Sequence, residues 1–292
     1  MSGLSLKSLT FTLMIVVAPA LFAQNEPFGL SVPRTPAVDS TVAQKSGSLV
    51  GALKGRYTFA VHGALAGAQG GSRELGSVGS IVADGKGHII SGIADFQSAF
   101  GSFSKVSLTG SYSLDVDGIG TLTLTSNERT TTFSLLVSRE AGQIQKATIV
   151  QTNRHAGTVG SLVRQEFVGA PSGNFAFSLS GETFQRSGVP DAIVVGGYLN
   201  ITQGALVGVA TMVCGDAANK TAKVIQNIAM PATLSSPDEN GRFTLTFTFS
   251  PASAPGTPIQ FAGYMVDANH FNLLPSDQPS GTVPLLIGSA SK

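Results

Sequence analysis

Tryptophan is absent from the 292 residues, and only four tyrosines and one cysteine occur. With Cys214 alone, no internal disulfide can form, so packing must stabilise the fold. The scarcity of Trp and Tyr argues against a membrane β-barrel, because such barrels carry aromatic girdles at both interfaces. Cys214 follows Met212 and Val213 in an apolar run. This position favours a buried, small hydrophobic side chain over a reactive thiol.

Charged residues are also few. They make up 12% of the chain, against a usual share of about 25%. The formal net charge is +1, and Lys7 is the only charged residue among the first 23, so the remainder is neutral. Nucleic-acid binding depends on clustered Lys and Arg, and the sequence has no such cluster. We therefore expect no nucleic-acid partner.

Residues 1–23 have the layout of a secretory signal peptide. Lys7 supplies the positive start, and Leu9–Val17 form a mostly apolar core. Ala18-Pro19-Ala20 fits a small-x-small cleavage site, and Ala23 offers a second one. The apolar run is shorter than the roughly 20 residues that a membrane-spanning helix needs. We expect export through an inner membrane to the periplasm, the cell surface or the exterior, with no transmembrane segment in the mature chain.

From Tyr57 onward, apolar residues recur at every second position. The segment Phe243–Phe249 is the clearest case. Successive side chains of a strand point to opposite faces, so such runs place one face in a core. Asp84-Gly85, Asp117-Gly118 and Asn240-Gly241 are residue pairs that tolerate the backbone of tight hairpin turns. The pattern predicts an all-β fold of antiparallel strands.

An internal repeat divides the chain into two tandem β units, residues 51–168 and 169–292. Short motifs recur in the same order, at an offset that grows from 118 to 124 residues. The slow growth indicates a few inserted residues between two diverged copies. Residues 24–50 show neither a helical nor a strand period, which predicts a flexible leader. The matched motifs are Gly55–Gly63 with Gly173–Gly181, Gly79 with Gly197, Asp117-Gly118 with Asn240-Gly241, and Gly157–Val159 with Gly281–Val283.

Short, evenly spaced runs with hairpin turns favour an up-and-down meander that closes into a small barrel in each unit. Closure removes the exposed strand edges that invite aggregation. Two β-sandwiches are the main alternative, and one sheet system shared by both halves is the third. The runs of the first unit lie near residues 56–62, 77–83, 88–96, 106–116, 120–126, 131–138, 143–151 and 158–167.

The motif order resembles a group of uncharacterised exported bacterial proteins. Their units run from Gly-x-Tyr/Phe-x-Phe through an Ala-Asp-Gly-x-Gly hairpin to Gly-Thr-Leu-Thr-Leu. The second unit departs from this pattern at Asn200–Gln203, where Ala-Asp-Gly would stand. The resemblance implies repeated β units and export, but no particular activity. It rests on Gly55–Phe59, Gly79–Gly87, Thr109–Tyr112 and Gly118–Leu124, which cover most of the first unit.

Asp115 and Asp117 precede a glycine turn, and calcium loops use such carboxylate ligands. A full loop needs further carboxylates and a late bidentate Glu, yet the next acid is Glu128. Asp238 and Glu239 take the corresponding place in the second unit. A hairpin turn explains these residues without a metal, so we expect neither a metal nor a cofactor.

Four histidines could supply a base or a metal ligand. None stands at a ligand spacing from another. His62 lies on the face opposite the apolar one, and Ser180 replaces it in the second unit. We expect surface or loop positions for all four: His62, His88, His155 and His270.

Signatures of hydrolases are missing. No Gly-x-Ser-x-Gly elbow and no helical His-Glu-x-x-His pair occurs. Gly67–Gly71 shares only its glycines with a phosphate loop and lacks the Lys-Ser/Thr that should follow. The segment is better interpreted as a connection between strands.

We therefore expect a non-catalytic binding or surface module for a small molecule, glycan or protein, with no catalytic residue identifiable from the sequence. A structural or adhesive envelope protein is the first alternative. An enzyme whose groups meet only in the fold is the second, and Asp95, Glu74 and His88 in one cleft would favour it. An open, polar-lined cavity would indicate binding or catalysis, whereas interiors filled by Phe and Leu would indicate a structural role.

Overall fold

The alternation of apolar and polar residues produces strands along most of the described chain. The computed structural model describes residues 48–66, 72–98, 101–127, 129–137, 142–153, 156–183, 191–202, 205–216, 221–249, 257–277 and 284–292. These residues form seventeen strands and one short 3-10 turn, η1 (Val50–Ala52). The all-β prediction is confirmed. The predicted signal peptide and most of the predicted leader, residues 1–47, lie outside the described residues.

The first half forms a closed ring of antiparallel strands. Each strand pairs with the next along the ring, and β9 returns to β1 with Val61 opposite Gly160. Both β4 and β5 pair with β3, so together they count as one strand and the ring has eight strand positions. The strands are β1 (Lys54–Ala66), β2 (Ser72–Asp84), β3 (His88–Ser98), β4 (Gly101–Ser107), β5 (Thr109–Leu114), β6 (Ile119–Ser126), β7 (Arg129–Val137), β8 (Lys146–Gln151) and β9 (Ala156–Arg164).

The division between β4 and β5 falls inside a run that the sequence pattern presented as one strand, residues 106–116. Lys105 adopts a φ of +55°, and the pairing register with β3 shifts after Ala94. Leu108 lies between the two strands but remains buried, and its N–H donates to the Gly92 carbonyl at 2.8 Å. A bulge therefore bends this edge without opening the ring.

The second half is a closed antiparallel barrel of eight strands. The barrel prediction is thus confirmed for both halves, and the sandwich alternative is wrong. All described residues fall within a single compact unit. The strands are β10 (Gly173–Thr183), β11 (Asp191–Thr202), β12 (Ala205–Asp216), β13 (Thr221–Leu234), β14 (Arg242–Phe249), β15 (Thr257–Asp267), β16 (His270–Pro275) and β17 (Leu285–Ser291).

The two barrels share their pairing register. Phe59 stands opposite Gly79, and 118 residues later Phe177 stands opposite Gly197. The closing strands also correspond, since Leu179 stands opposite Gly288 as Val61 stands opposite Gly160. The offset between the closing strands is thus 128 residues, four more than the motif match at Gly157 indicated. Residues 281–283, the other half of that match, lie outside the described chain.

Side chains fill both barrel interiors. In the second barrel, the rings of Phe175 and Phe243 pack on Phe271 with centroid distances of 5.0 and 5.3 Å, and Phe247 packs on Phe261 at 5.3 Å. The first barrel has a similar core of buried aromatic and aliphatic residues. Its buried aromatic members are Tyr57, Phe59, Tyr112 and Phe133.

Two glycines make room for this aromatic packing. A Cβ at Gly79 would lie 2.6 Å from two ring carbons of Phe59 and 2.6 Å from the Ile93 carbonyl oxygen. One at Gly197 would lie 2.8 Å from a ring carbon of Phe177 and 2.2 Å from the Val209 carbonyl oxygen. The rings cover the glycine positions across the strand pair, so part of the high glycine content has a steric cause. In the described part of the chain, no helix has the length and apolarity needed to cross a membrane.

Candidate functional site

The two barrels pack through an interface, here called the joint, between the outer faces of β1–β3 and β14–β17. The strands alternate, so residues between two core positions point outward into this interface. Its apolar part has four fully buried residues, with three partly buried ones packed against them: Val78, Ala262, Tyr264 and Leu274, and Ala60, Ile93 and Ile287.

A buried ion pair lies at the joint. Asp95 of β3 and Arg242 of β14 are 1% and 6% exposed, and both carboxylate oxygens accept hydrogen bonds from the guanidinium at 2.8 Å. The Tyr264 hydroxyl donates to Asp95 Oδ2 at 2.6 Å. The Ser104 hydroxyl donates to Oδ1 and accepts from Arg242 Nη2. These four residues form one hydrogen-bonded cluster, in which Ser104 lies at the exposed edge.

The local sequence explains these orientations. Ala94 points into the first barrel, so its neighbour Asp95 points outward. Arg242 follows the Asn240-Gly241 turn and precedes the core residue Phe243, so it also points outward. Each residue is unremarkable in its own strand, and only the packing of the barrels brings them together.

The electrostatics of the cluster favour the ionised pair. Burial by itself would raise the pKa of Asp95, but the hydrogen bonds and charge of Arg242 outweigh burial and lower it. Burial and the Asp95 charge raise the pKa of Tyr264 well above its usual value. The Asp95 carboxylate therefore stays charged at neutral pH with its oxygens already bonded. Such a saturated and inaccessible pair serves packing and has no free group for chemistry.

Hydrogen bonds of Gln165 and Arg56 also contribute to the joint. The Gln165 amide accepts from Ser80 Oγ at 2.9 Å and donates to the carbonyls of Met265 and Asn240 at 2.6 and 3.0 Å. Arg56 donates to Asn240 Oδ1 at 2.8 Å. Gln165 thus links a first-barrel strand, the connection between the barrels and a second-barrel strand.

Two glutamates from different barrels meet at the edge of the joint. The Glu182 carboxylate accepts the backbone N–H of Glu74 at 3.0 Å. Burial and the charge of Glu182 raise the pKa of Glu74 to about 6. This is a repulsive acidic contact, which opposes the attraction between Asp95 and Arg242.

An open hollow of about 600 Å³ lies beside the connection between the barrels. Its walls combine hydrogen-bonding groups with the apolar ring of Phe167. Burial lowers the pKa of His270, Asp267 opposes this shift and Lys146 adds to it, so the imidazole is neutral at neutral pH. The hollow is lined by Glu166, Phe167, Asp267, Ala268, Asn269, His270, Ser291 and Lys292.

Some side chains of this hollow are already engaged in contacts, and others are not. Asp267 Oδ1 accepts the Asn269 N–H at 2.7 Å in the β15–β16 turn, and the ammonium of Lys292 lies 5.2 Å from the Phe175 ring centroid. Within the described residues, neither the Glu166 carboxylate nor the His270 ring makes a hydrogen bond. These two groups therefore remain available to a ligand, unlike those of the Asp95 cluster.

The enzyme hypothesis required Asp95, Glu74 and His88 in one cleft, and the structure separates them. His88 and Asp95 belong to the same strand, seven residues or about 23 Å apart. His88 is 68% exposed, and its ring bonds to Asp84 at 2.9 Å. Backbone and side-chain hydrogen bonds from His88, with one from the Lys86 N–H, lower the pKa of Asp84 to about 2. Each of the three residues has a different neighbour and a different degree of burial.

The remaining histidines and the cysteine do not form a site. His62 is exposed on the outer face of the first barrel, as expected. His155 lies outside the described residues. Cys214 packs partly buried against the second core, and burial raises the pKa of its thiol. The raised pKa supports the interpretation of Cys214 as a hydrophobic residue.

The predicted turn acids have backbone roles. Asp115 and Asp238 begin equivalent turns, in which the N–H of Gly118 or Gly241 bonds back to the aspartate carbonyl at 3.0 or 2.9 Å. The Asp238 side chain also accepts the N–H groups of Asn240 and Arg242. Glu128 lies outside the described residues. No group of three or more His, Cys, Asp or Glu in the described chain could hold a metal ion.

The fold and the joint define the class of protein: it is an all-β protein of two closed antiparallel barrels that a buried ion pair connects. No family model and no curated protein matches the sequence. Among solved structures, the chain is similar to a Nitrosomonas europaea protein described as an AttH, at 11% identity. The match covers 89% of this chain and 98% of that one with a TM-score of 0.29, which is too low to bear on function.

Proposed function

We propose that the chain is an exported, non-catalytic module that binds a neutral saccharide in the hollow beside His270. The hollow carries this proposal, because it combines uncommitted hydrogen-bonding groups with an apolar ring. Carboxylates, an amide and a neutral imidazole can exchange hydrogen bonds with sugar hydroxyls, while Phe167 offers a surface for the sugar ring.

The filled interiors support a site on the outside of the barrels. An eight-stranded barrel holds either side chains or one small ligand, and here Phe and Leu side chains occupy both. The buried ion pair of the joint, Asp95 and Arg242, is bonded within itself. A ligand therefore has to meet the protein at a hollow or an outer face.

The test is a titration of the purified protein with neutral oligosaccharides of glucose, xylose and N-acetylglucosamine, followed by calorimetry. We expect one class to bind with a Kd between about 10 µM and 1 mM, and His270→Ala to weaken it at least about tenfold. His62→Ala, which removes an exposed histidine away from the hollow, is the matched control. The proposal fails if no sugar binds, or if His270→Ala binds like the wild type.

Export and duplication belong to the same proposal. The signal-like residues 1–23 support export, and mass spectrometry of the secreted protein should find a new amino terminus after Ala20 or Ala23. An unprocessed terminus would contradict it. The equal registers of the two barrels support descent from one duplicated β unit, of the kind found in the exported bacterial repeat proteins that the motifs resemble.

A structural or adhesive envelope role is the second candidate. The solid interiors favour it, because they give rigid barrels without an internal ligand. The two candidates differ in one measurable property, since an adhesive module needs no small ligand at the hollow.

A further inference from the structure

The outer face of β10–β13, here called the β10–β13 face, consists of outward positions on four neighbouring strands. The positions stand in register across the sheet, so they form rows. One row is Ser180, Val194, Val213 and Val224, the next is Ser178, Gly196 and Thr211, and a third is Ala176, Tyr198, Val209 and Ala229. Asn174, Asn200, Val207 and Pro231 complete the face.

This face is apolar and exposed. Val207 is 61% exposed, Val224 is 55% exposed, and Val194 and Tyr198 are each 51% exposed. The second barrel packs on the first through β14–β17, on a different part of the ring. Nothing in the described chain covers the β10–β13 face.

The face also lacks charge. None of the residues in these four rows is Asp, Glu, Lys or Arg, and their polar members are Ser, Thr and Asn. The next outward residue of β10, Glu182, lies against Glu74 of the first barrel at the edge of the joint. A neutral face can meet a copy of itself across a two-fold axis without opposing like charges. An anionic membrane is a poorer fit, because interfacial surfaces of that kind carry Lys and Arg around their apolar residues.

The shape of the centre suits self-association. Tyr198 projects from the face two residues after Gly196, where a Cβ would meet only the Phe177 carbonyl at 3.8 Å. The glycine therefore leaves a shallow dimple beside an aromatic knob. In a two-fold arrangement, each tyrosine can fill the dimple of the other copy, as aromatic anchors do at interface centres.

The area fits a weak, reversible dimer. Four strands spaced about 4.8 Å apart are about 19 Å wide, and the four rows span the seven residues from Asn174 to Ser180, or about 24 Å. Each copy thus offers about 450 Å², and two copies bury about 900 Å², below the range of about 1,200–2,000 Å² for stable specific interfaces.

We infer that the protein forms a two-fold symmetric homodimer in which the β10–β13 faces of two copies stack. The valine rows interdigitate as the facing sides of two sheets do. This inference is independent of saccharide binding, because the hollow is not part of the face.

The experiment measures the mass of the purified protein in solution by light scattering at about 1–100 µM. At the highest concentration the wild type should approach twice the mass of one chain, and Tyr198→Lys should raise the dimer dissociation constant at least about 100-fold, because like charges then oppose each other. Tyr198→Glu should do the same, and mixing the two variants should restore a dimer. Ile119→Lys, at a similarly exposed position of the first barrel, should remain dimeric.

Three results would overturn the inference. They are a monomeric wild type at the highest concentration, a dimer that survives Tyr198→Lys, or variants that stay monomeric when mixed. Vesicles of phosphatidylcholine provide a further arm. A monomer that sediments with these vesicles, and no longer does so as Tyr198→Lys, would assign the face to lipid instead. Circular dichroism spectra identical to the wild type establish that each variant is folded.

Discussion

Replacing Asp95 by alanine removes the carboxylate on which the buried cluster depends. Arg242, which is 6% exposed in the wild type, would lose its two hydrogen bonds to the carboxylate, and the Tyr264 hydroxyl would lose its acceptor. Breaking one side of a buried ion pair costs about 3–5 kcal/mol, because the remaining charge is left uncompensated. For a chain of this length, we expect the midpoint of thermal unfolding to fall by roughly 6 to 20 °C.

The measurement is urea unfolding of the wild type and three variants, followed by circular dichroism. Asp115→Ala is the matched control, since it removes an exposed carboxylate that makes no side-chain hydrogen bond or ion pair in the described chain and should change stability little. Asp95→Leu combined with Arg242→Met should recover most of the loss, because it removes both charges and fills the space.

The reasoning about the joint would be refuted by either of two results. One is an Asp95→Ala protein as stable as Asp115→Ala. The other is a double variant less stable than Asp95→Ala. The pair bridges the barrels, so its loss should also reveal whether they unfold together, through one transition or two.

Three further predictions concern charge, packing and the barrels as units. The pKa of Glu74 is raised to about 6, so its ionisation destabilises the fold as pH rises from about 4.5 to 6. Because water screens this half-buried carboxylate, the loss should be about 1 kcal/mol or less. Glu74→Gln should stabilise at pH 7 but not at pH 4, and equal effects at both would contradict this. Gly79→Ala places a Cβ 2.6 Å from the Phe59 ring and should lower the free energy of unfolding in urea by about 1–3 kcal/mol. Gly157→Ala, where a Cβ would meet nothing within 4 Å, should lower it less. Equal losses in the two variants would refute the steric explanation. A fragment starting at Gly169 contains a closed barrel and should unfold cooperatively by calorimetry, with a lower midpoint than the full chain because its half of the joint is exposed; a scan without a transition would count against independent units.

Local signals predicted the strands and their turns. The period of two in Phe243–Phe249 depends only on residues within one strand, and Asn240-Gly241 marks a turn through its own backbone preference. The even spacing of short runs with hairpin turns also favoured barrels over sandwiches correctly. The division of residues 106–116 was missed, because a bulge depends on the partner strand, and Lys105 carries no local signature of a positive φ.

The candidate sites could not be predicted in the same way. Asp95 was weighed together with Glu74 and His88 because their side chains are suitable for chemistry, but its actual partner is Arg242, 147 residues away. No local pattern links these two residues. The Gln165 bonds and the hollow beside His270 likewise combine the joint, the inter-barrel connection and a distant turn. A weak signal existed in the outward charge of Asp95 and Arg242, each beside a core residue.

The amino-acid sequence by itself determined the all-β character, the strand alternation and the hairpin turns, because these follow from steric preferences and burial within a few residues. Only the tertiary structure decided which outer faces meet, which acid pairs with which base and which face stays uncovered. Those outcomes depend on how two closed surfaces pack, and packing free energy is a sum over residues far apart in the chain.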